Sequence, residues 1–207
     1  MKYKSLVLFI TSFFLLGCSR YTGKGYKASG FDAYNKQEIL DEYELTLNSD
    51  LRTFPNQITS SEENTEYYAY VTKEFLDKDN TEIYLSCIYS EEQYNSEVDR
   101  LKNISVTIKN RNEEYTNNML YDAESYNYPA YIATDGFGGV YEYALLKEDI
   151  HQIIYMYLYM PNKTQFEKYP DYIKKDTNVY NKTDTLKAFT IYSHSFDGGK
   201  SWIEYND

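Results

Sequence analysis

The strongest structural pattern in the chain is a pair of apolar runs, Val140-Tyr141-Glu142-Tyr143-Ala144-Leu145-Leu146 and Gln152-Ile153-Ile154-Tyr155-Met156-Tyr157-Leu158-Tyr159-Met160. Residues 147–151 join the two runs, and this arrangement predicts a β-hairpin. Successive side chains of a strand point to opposite faces, and the second run is apolar on both of them. Such a run is typical of a central strand that is covered on both sides. The hairpin is therefore expected to form the middle of a sheet.

The remaining alternating segments predict the other strands of this sheet. Five segments have this character: 67–76, 81–89, 104–109, 130–134 and 186–194. The polar residues 77–80 predict the turn of a hairpin between the first two of these strands. A last hairpin is expected to lead from 186–194 to 201–205. The polar segment 110–128 is expected to be irregular.

Helical periodicity predicts one longer helix and two short ones. Apolar residues recur at three- and four-residue steps in 33–53, which predicts a helix with Asp32 as its N-cap and Pro55 beyond its end. A short strand around residues 43–47 is the alternative, because apolar residues also alternate there. Ser90 predicts the start of a second helix at 91–102, and 163–175 has room for a helical turn before Pro170. The predicted fold class is therefore α+β: a single domain over 31–207, with an antiparallel sheet packed against an N-terminal helix and one or two short helices.

The N-terminus has the pattern of an export signal. Lys2 and Lys4 precede an apolar run, 6–16, which spans roughly 17 Å as a helix and is too short to cross a bilayer. Leu15-Leu16-Gly17-Cys18 follows and resembles the lipobox of bacterial lipoproteins. The resemblance implies removal of residues 1–17 and attachment of diacylglycerol to Cys18. Residues 18–30 would then be a lipidated cysteine and a glycine-rich tether with a reach of about 20 Å.

Charge divides the chain into a basic tether and an acidic body. Residues 31–207 contain 16 Lys and Arg against 32 Asp and Glu, a net charge of −16. Binding to nucleic acid is not expected, because phosphate contacts need clustered basic residues. The charge is explained either by solubility alone or by a cationic protein partner. The membrane is expected as a partner through the lipid on Cys18, with the domain outside the cytoplasm.

Cysteine and histidine offer little catalytic or metal chemistry. Once Cys18 is lipidated, Cys87 has no disulfide partner, and its place in an alternating strand predicts a small core residue. His151 and His194 lack the spacing of known zinc motifs. No metal or other cofactor, and no catalytic residue, is therefore predicted.

A short motif near the C-terminus has a recognisable form. Ser195-Phe196-Asp197-Gly198-Gly199-Lys200-Ser201-Trp202 resembles the Asp-box of sialidases and other β proteins, with matches at Ser195, Asp197, Gly199, Ser201 and Trp202. The resemblance implies a structural hairpin. It does not imply sialidase activity, because the box occurs once and the chain is too short for a six-bladed propeller.

The chain contains 26 tyrosines, and several lie on the central hairpin. If the two strands pair in the right register, Tyr141 and Tyr143 would lie opposite Tyr155 and Tyr157. These four residues and Tyr159 would then form a tyrosine-lined binding face. The alternative is that tyrosine fills a half-buried sheet.

These features predict a membrane-anchored extracytoplasmic lipoprotein that acts as a binding or accessory module rather than as an enzyme. Its partner would be a cationic protein or an envelope glycan. A toxin inhibitor or immunity-type surface protein is the alternative, and an envelope glycan hydrolase is a further one. The runs 86–92, 128–131 and 141–145 resemble lipoproteins of low-GC anaerobic Gram-positive bacteria, and this likeness implies no particular activity.

Overall fold

The computed structural model describes residues 26–47, 49–71, 81–110, 113–175 and 189–192, which contain nine strands and three α-helices. The strands are β1 (Tyr26–Ser29), β2 (Thr65–Val71), β3 (Thr81–Ile88), β4 (Ser105–Asn110), β5 (Glu113–Asn118), β6 (Leu120–Asp122), β7 (Ala130–Asp135), β8 (Val140–Lys147) and β9 (Gln152–Tyr159). The helices are α1 (Lys36–Leu47), α2 (Glu91–Lys102) and α3 (Lys163–Lys168).

Seven of these strands form one antiparallel sheet in the order β1-β2-β3-β9-β8-β7-β6, and β4 pairs with β5 in a separate hairpin. Strand β9 is the fourth of the seven, and its residues 153–158 are all buried. The prediction of a central strand covered on both faces is confirmed. The fold class is α+β, as predicted, with an antiparallel sheet packed against short helices.

Each face of the sheet has its own cover. On one side Phe54 packs against Tyr155 with ring centres 5.8 Å apart, and Glu97 of α2 contacts the same tyrosine; we call this the α2 face. On the opposite side Tyr126 packs against Tyr143, and Phe166 of α3 packs against Tyr141; we call this the α3 face. The segment 162–175 therefore covers the second face.

Helix α2 matches its predicted bounds because its signals are local. The Ser90 hydroxyl accepts from the backbone N–H of Gln93, and the Gln93 side chain accepts from the backbone N–H of Ser90, which is a capping box. Tyr94 and Leu101 are buried on its inner side.

The predicted helix 33–53 is too long at both ends. Asp32 belongs to a 3₁₀ turn, and Asn35 accepts from the N–H of Glu38 at the start of α1. The helix ends at Leu47, and Leu51 has a positive φ of 49°. Leu51 and Phe54 are buried as the apolar pattern required, but they lie in non-helical chain. The short-strand alternative is wrong as well, since residues 43–47 are helical.

The segment 110–128 is not irregular, because it contains β5 and β6. Strand β5 pairs with β4, and the hydroxyls of Thr107 and Thr116 lie 3.2 Å apart across the hairpin. Its sequence is polar, so the apolar alternation that marks a strand is missing. Residues 77–80 lie outside the described residues, as does the hairpin to 201–205. Of 186–194 the structure describes 189–192, where Thr190 bridges Thr134 of β7.

Candidate functional site

The predicted tyrosine-lined face is wrong, because its members lie on opposite sides of the sheet. In the β8–β9 pair Tyr141 opposes Leu158 and Tyr143 opposes Met156, whereas Tyr157 opposes Glu142. Opposed residues share a face, so Tyr141 and Tyr143 lie on the α3 face and Tyr155, Tyr157 and Tyr159 on the α2 face.

Burial also removes the central tyrosines from any surface. The exposed fractions are 1% for Tyr143 and 0% for Tyr155 and Tyr157. Tyr155 donates to Glu97 Oε1 at 2.7 Å, and Tyr143 donates to the carbonyl oxygen of Tyr172 at 2.8 Å. Burial raises the pKa of all three phenols. These side chains are core residues with a hydrogen-bonded tip, and the interpretation of tyrosine as sheet filler holds for them.

A different set of tyrosines lines an open groove on the α3 face. Its volume is about 500 Å³, and it is lined by Glu66, Tyr67, Tyr68, Tyr84, Lys168, Tyr169 and Tyr172. We call it the tyrosine groove. Tyr68 and Tyr84 are directly opposed on β2 and β3, while Lys168, Tyr169 and Tyr172 come from the end of α3 and the chain after it.

Three parallel rings build the wall of the tyrosine groove. The ring of Tyr84 stacks on Tyr169 with centres 5.4 Å apart and on Tyr172 with centres 6.2 Å apart. Tyr169 is buried, whereas Tyr68, Tyr84 and Tyr172 are partly exposed. Rigid aromatic side chains with polar tips provide contact area at small entropic cost, which is how binding surfaces use tyrosine.

Charged groups surround this wall. Lys168 Nζ lies 2.5 Å from Glu82 Oε1 and 3.9 Å from the centre of the Tyr68 ring. Glu66 is exposed and accepts a hydrogen bond from the Tyr84 hydroxyl at 3.4 Å. Burial raises the pKa of Tyr84 and Tyr169, so both phenols are neutral at physiological pH. The groove thus combines aromatic faces, neutral hydroxyls, the carboxylate of Glu66 and the ammonium of Lys168, which is paired with the buried Glu82 beside it.

Sequence reasoning missed this site for a physical reason. Tyr68 and Tyr84 stand in predicted strands, but their neighbours Tyr169 and Tyr172 are about 85–100 residues away in a segment with weak periodicity. A signal existed in the tyrosine-rich run 67–70. Only the packing of 162–175 on the sheet brings the two groups together.

Two polar centres outside the groove, at the buried Glu142 and the half-buried Glu97, are structural. Glu142 is fully buried and accepts from Thr53 N–H at 2.7 Å, Thr53 Oγ1 at 2.9 Å, Ser49 Oγ at 2.5 Å and the Tyr192 hydroxyl. Glu97 forms a two-point ion pair with Arg100, with contacts of 2.6 and 2.8 Å. The partners of each carboxylate belong to the chain itself, and these contacts connect neighbouring segments to the sheet.

Cys87 is a buried core residue, as predicted, and burial raises the pKa of its thiol. The predicted tether 18–30 is too long, because Tyr26–Ser29 form β1 and pair with β2, so the domain begins before residue 31. Residues 1–25, which include Cys18, lie outside the described residues, as do His194 and the Asp-box residues Ser195, Asp197, Gly199, Ser201 and Trp202. His151 lies in the turn before β9, where its backbone oxygen accepts from Tyr89.

Within the described ranges, no group of three or more His, Cys, Asp and Glu side chains is placed to hold a metal ion. No helix among these residues has the length and apolar character of a membrane span. Comparison with models of protein families, with curated proteins and with solved structures gives no match to this chain.

Proposed function

We propose that the protein is an extracytoplasmic lipoprotein, anchored to the membrane through Cys18, whose domain acts by binding a ligand in the tyrosine groove. The basic start, the short apolar run and Leu15-Leu16-Gly17-Cys18 support the anchor. Positive charge in the tether and negative charge in the body suit an anionic membrane, which attracts the first and repels the second.

The observation that carries the binding role is the groove of about 500 Å³, whose lining includes the rings of Tyr68, Tyr84, Tyr169 and Tyr172 on the α3 face. Its partly exposed rings are held by stacking and by strand pairing, so little conformational entropy is lost when a ligand arrives. Such pre-organisation favours a recognition surface. No step of chemistry is assigned to the groove, so the proposal is a binding module and not an enzyme.

The anchor is tested by labelling cells with a radioactive fatty acid. The natural chain is expected to take up label and to stay with the membrane fraction, and the Cys18→Ala variant is expected to do neither. A labelled Cys18→Ala chain would contradict lipidation at this residue.

The groove is tested by chemical crosslinking of the full chain in its native membrane. Tyr172→Ala removes one of the three rings of the groove wall, and Tyr121→Ala is the matched control because Tyr121 is 52% exposed on the edge strand β6. We expect the crosslinked species of the natural chain to be lost in the first variant and kept in the second. Equal crosslinking of both variants would exclude the groove as the binding site.

A toxin inhibitor or immunity-type surface protein is the second candidate, and the net charge of −16 over 31–207 favours it. A blocking protein of this kind would have a cationic partner and a salt-sensitive association. Cells lacking the protein would then be killed by a toxin that the natural cells resist.

A further inference from the structure

The tyrosine groove already holds an ammonium group that belongs to the chain itself. Lys168 Nζ lies 3.9 Å from the centre of the Tyr68 ring, 4.9 Å from that of Tyr169 and 2.5 Å from Glu82 Oε1. The negative face of an aromatic ring attracts a cation at these distances. Tyr68, Tyr169 and Glu82 therefore form what we call the ammonium cage.

Glu82 makes the cage selective for positive charge. Its exposed fraction is 5%, and a buried carboxylate without a cationic partner is strongly unfavourable. A neutral ligand that displaced Lys168 would leave this carboxylate uncompensated. A ligand that brings its own ammonium would restore both the ion pair and the contact with the rings.

Lys168 is placed so that it can leave the cage. It is the last residue of the six-residue helix α3, and its side chain is 44% exposed and attached through a flexible four-carbon stem. The ammonium can rotate into solvent while the sheet that carries Tyr68 and Glu82 stays unchanged.

The surroundings of the cage also favour a cationic ligand. Glu66 lines the same groove and is exposed, and Glu82 is paired with Lys168, so two carboxylates lie at or beside the groove with the one ammonium that lines it in the described residues. The body of the chain carries a net −16, which attracts a cation over a longer range.

Building on the proposed function, we propose that the tyrosine groove binds a lysine side chain of a partner peptide, whose ammonium takes the place of Lys168 in the ammonium cage. Lys168 is then an internal competitor. Its removal is expected to strengthen binding, which is the opposite of what is expected for an ordinary contact residue.

The test measures binding of acetyl-Gly-Lys-Gly-amide by NMR titration of the full lipidated chain in zwitterionic nanodiscs. The neutral comparison probe has norleucine in place of lysine. Lys168→Met is compared with Lys163→Met, which removes the same charge from the same helix at a side chain that is 72% exposed. We expect Lys168→Met to bind the lysine probe at least tenfold more tightly than Lys163→Met. Neither variant should bind the norleucine probe.

Two results would overturn the inference: equal affinity of the two variants for the lysine probe, or equal affinity of the lysine and norleucine probes. If Lys168→Met does not fold, the unmodified chain still decides. We expect it to bind the lysine probe more tightly than the norleucine probe, with chemical-shift changes at the rings of Tyr68 and Tyr169. Tighter binding of an N-acetylglucosamine tetramer than of the lysine probe would overturn the inference in favour of a glycan.

The lysine-probe titration and the crosslinking test of the proposed function can fail independently of each other. Loss of crosslinks in Tyr172→Ala, together with no preference for lysine, would retain the groove as a binding site and reject its ligand class. Crosslinks that survive in Tyr172→Ala would reject the groove itself.

Discussion

The hydroxyl of Tyr155 donates a hydrogen bond of 2.7 Å to Glu97 Oε1 and thereby joins the central strand β9 to helix α2. The same carboxylate binds Arg100, whose Nη1 and Nη2 donate to the carbonyl oxygens of Arg52 and Thr53. A chain of charge-assisted bonds therefore runs from the middle of the sheet to the segment after α1.

Replacement of Tyr155 by Phe should weaken the fold while leaving its shape intact. A hydrogen bond to a charged group contributes about 1.5–3 kcal/mol, and Glu97 keeps Arg100 as a partner, so we expect the free energy of unfolding to fall by about 2 kcal/mol. Urea denaturation measures this change. Tyr121→Phe, at an exposed edge residue, should stay within about 0.5 kcal/mol of the natural chain, and equal effects of the two variants would contradict the prediction.

Substitution of Glu142 should lower the stability of the domain strongly, because this carboxylate is fully buried and accepts four hydrogen bonds from three residues. Glu142→Gln replaces an acceptor of four bonds by an amide that must donate as well. We expect a loss of about 2–4 kcal/mol in the free energy of unfolding. The exposed Glu63→Gln is the control, and a stability equal to that of the control would show that the Glu142 contacts contribute little.

Alkaline pH should unfold the domain steeply. Burial raises the pKa of Tyr126, Tyr143 and Tyr155, so these phenols stay protonated in the folded chain while the unfolded chain loses protons from about pH 10. Above this pH the unfolded state binds fewer protons than the folded state. The free energy of unfolding, which these groups leave unchanged below about pH 10, then falls by about 1.4 kcal/mol per pH unit for each such tyrosine. Phenolate absorbance and circular dichroism should change together. Gradual ionisation of most tyrosines before any loss of structure would contradict this.

Cys87 should be unreactive until the domain opens. Its side chain is fully buried, and burial raises the pKa of the thiol, whereas thiol reagents attack the exposed thiolate. In a Cys18→Ser chain, where Cys87 is the remaining cysteine, we expect negligible reaction with a disulfide reagent at about pH 8 and complete reaction in urea. Rapid modification of the folded chain would show that β3 is accessible.

The turn between β8 and β9 explains the wrong prediction of the tyrosine face. Lys147 pairs with Gln152, and a 3₁₀ turn at Glu148–Ile150 followed by His151 at φ 50° closes the hairpin. This closure sets Tyr143 opposite Met156. A shift of one residue would have placed Tyr141 and Tyr143 opposite Tyr155 and Tyr157. Apolar alternation indicates that two faces exist, but the backbone of the turn decides which residues meet.

Local patterns in the sequence determined the elements whose signals lie within a few residues: helix α2 with its capping box at Ser90, the central position of β9, and Cys87 as a core residue. Tertiary structure alone decided the rest. Residues 49–53 lie beyond the end of α1, although apolar spacing places them in the helix, and there Ser49 and Thr53 donate to Glu142, which is distant in sequence. The ammonium cage joins Tyr68 and Glu82 of the sheet to Lys168 and Tyr169, which come from 86 to 101 positions later in the chain. Propensity and periodicity act between near neighbours, whereas hydrogen bonds, ion pairs and ring contacts depend on which distant segments the sheet brings together.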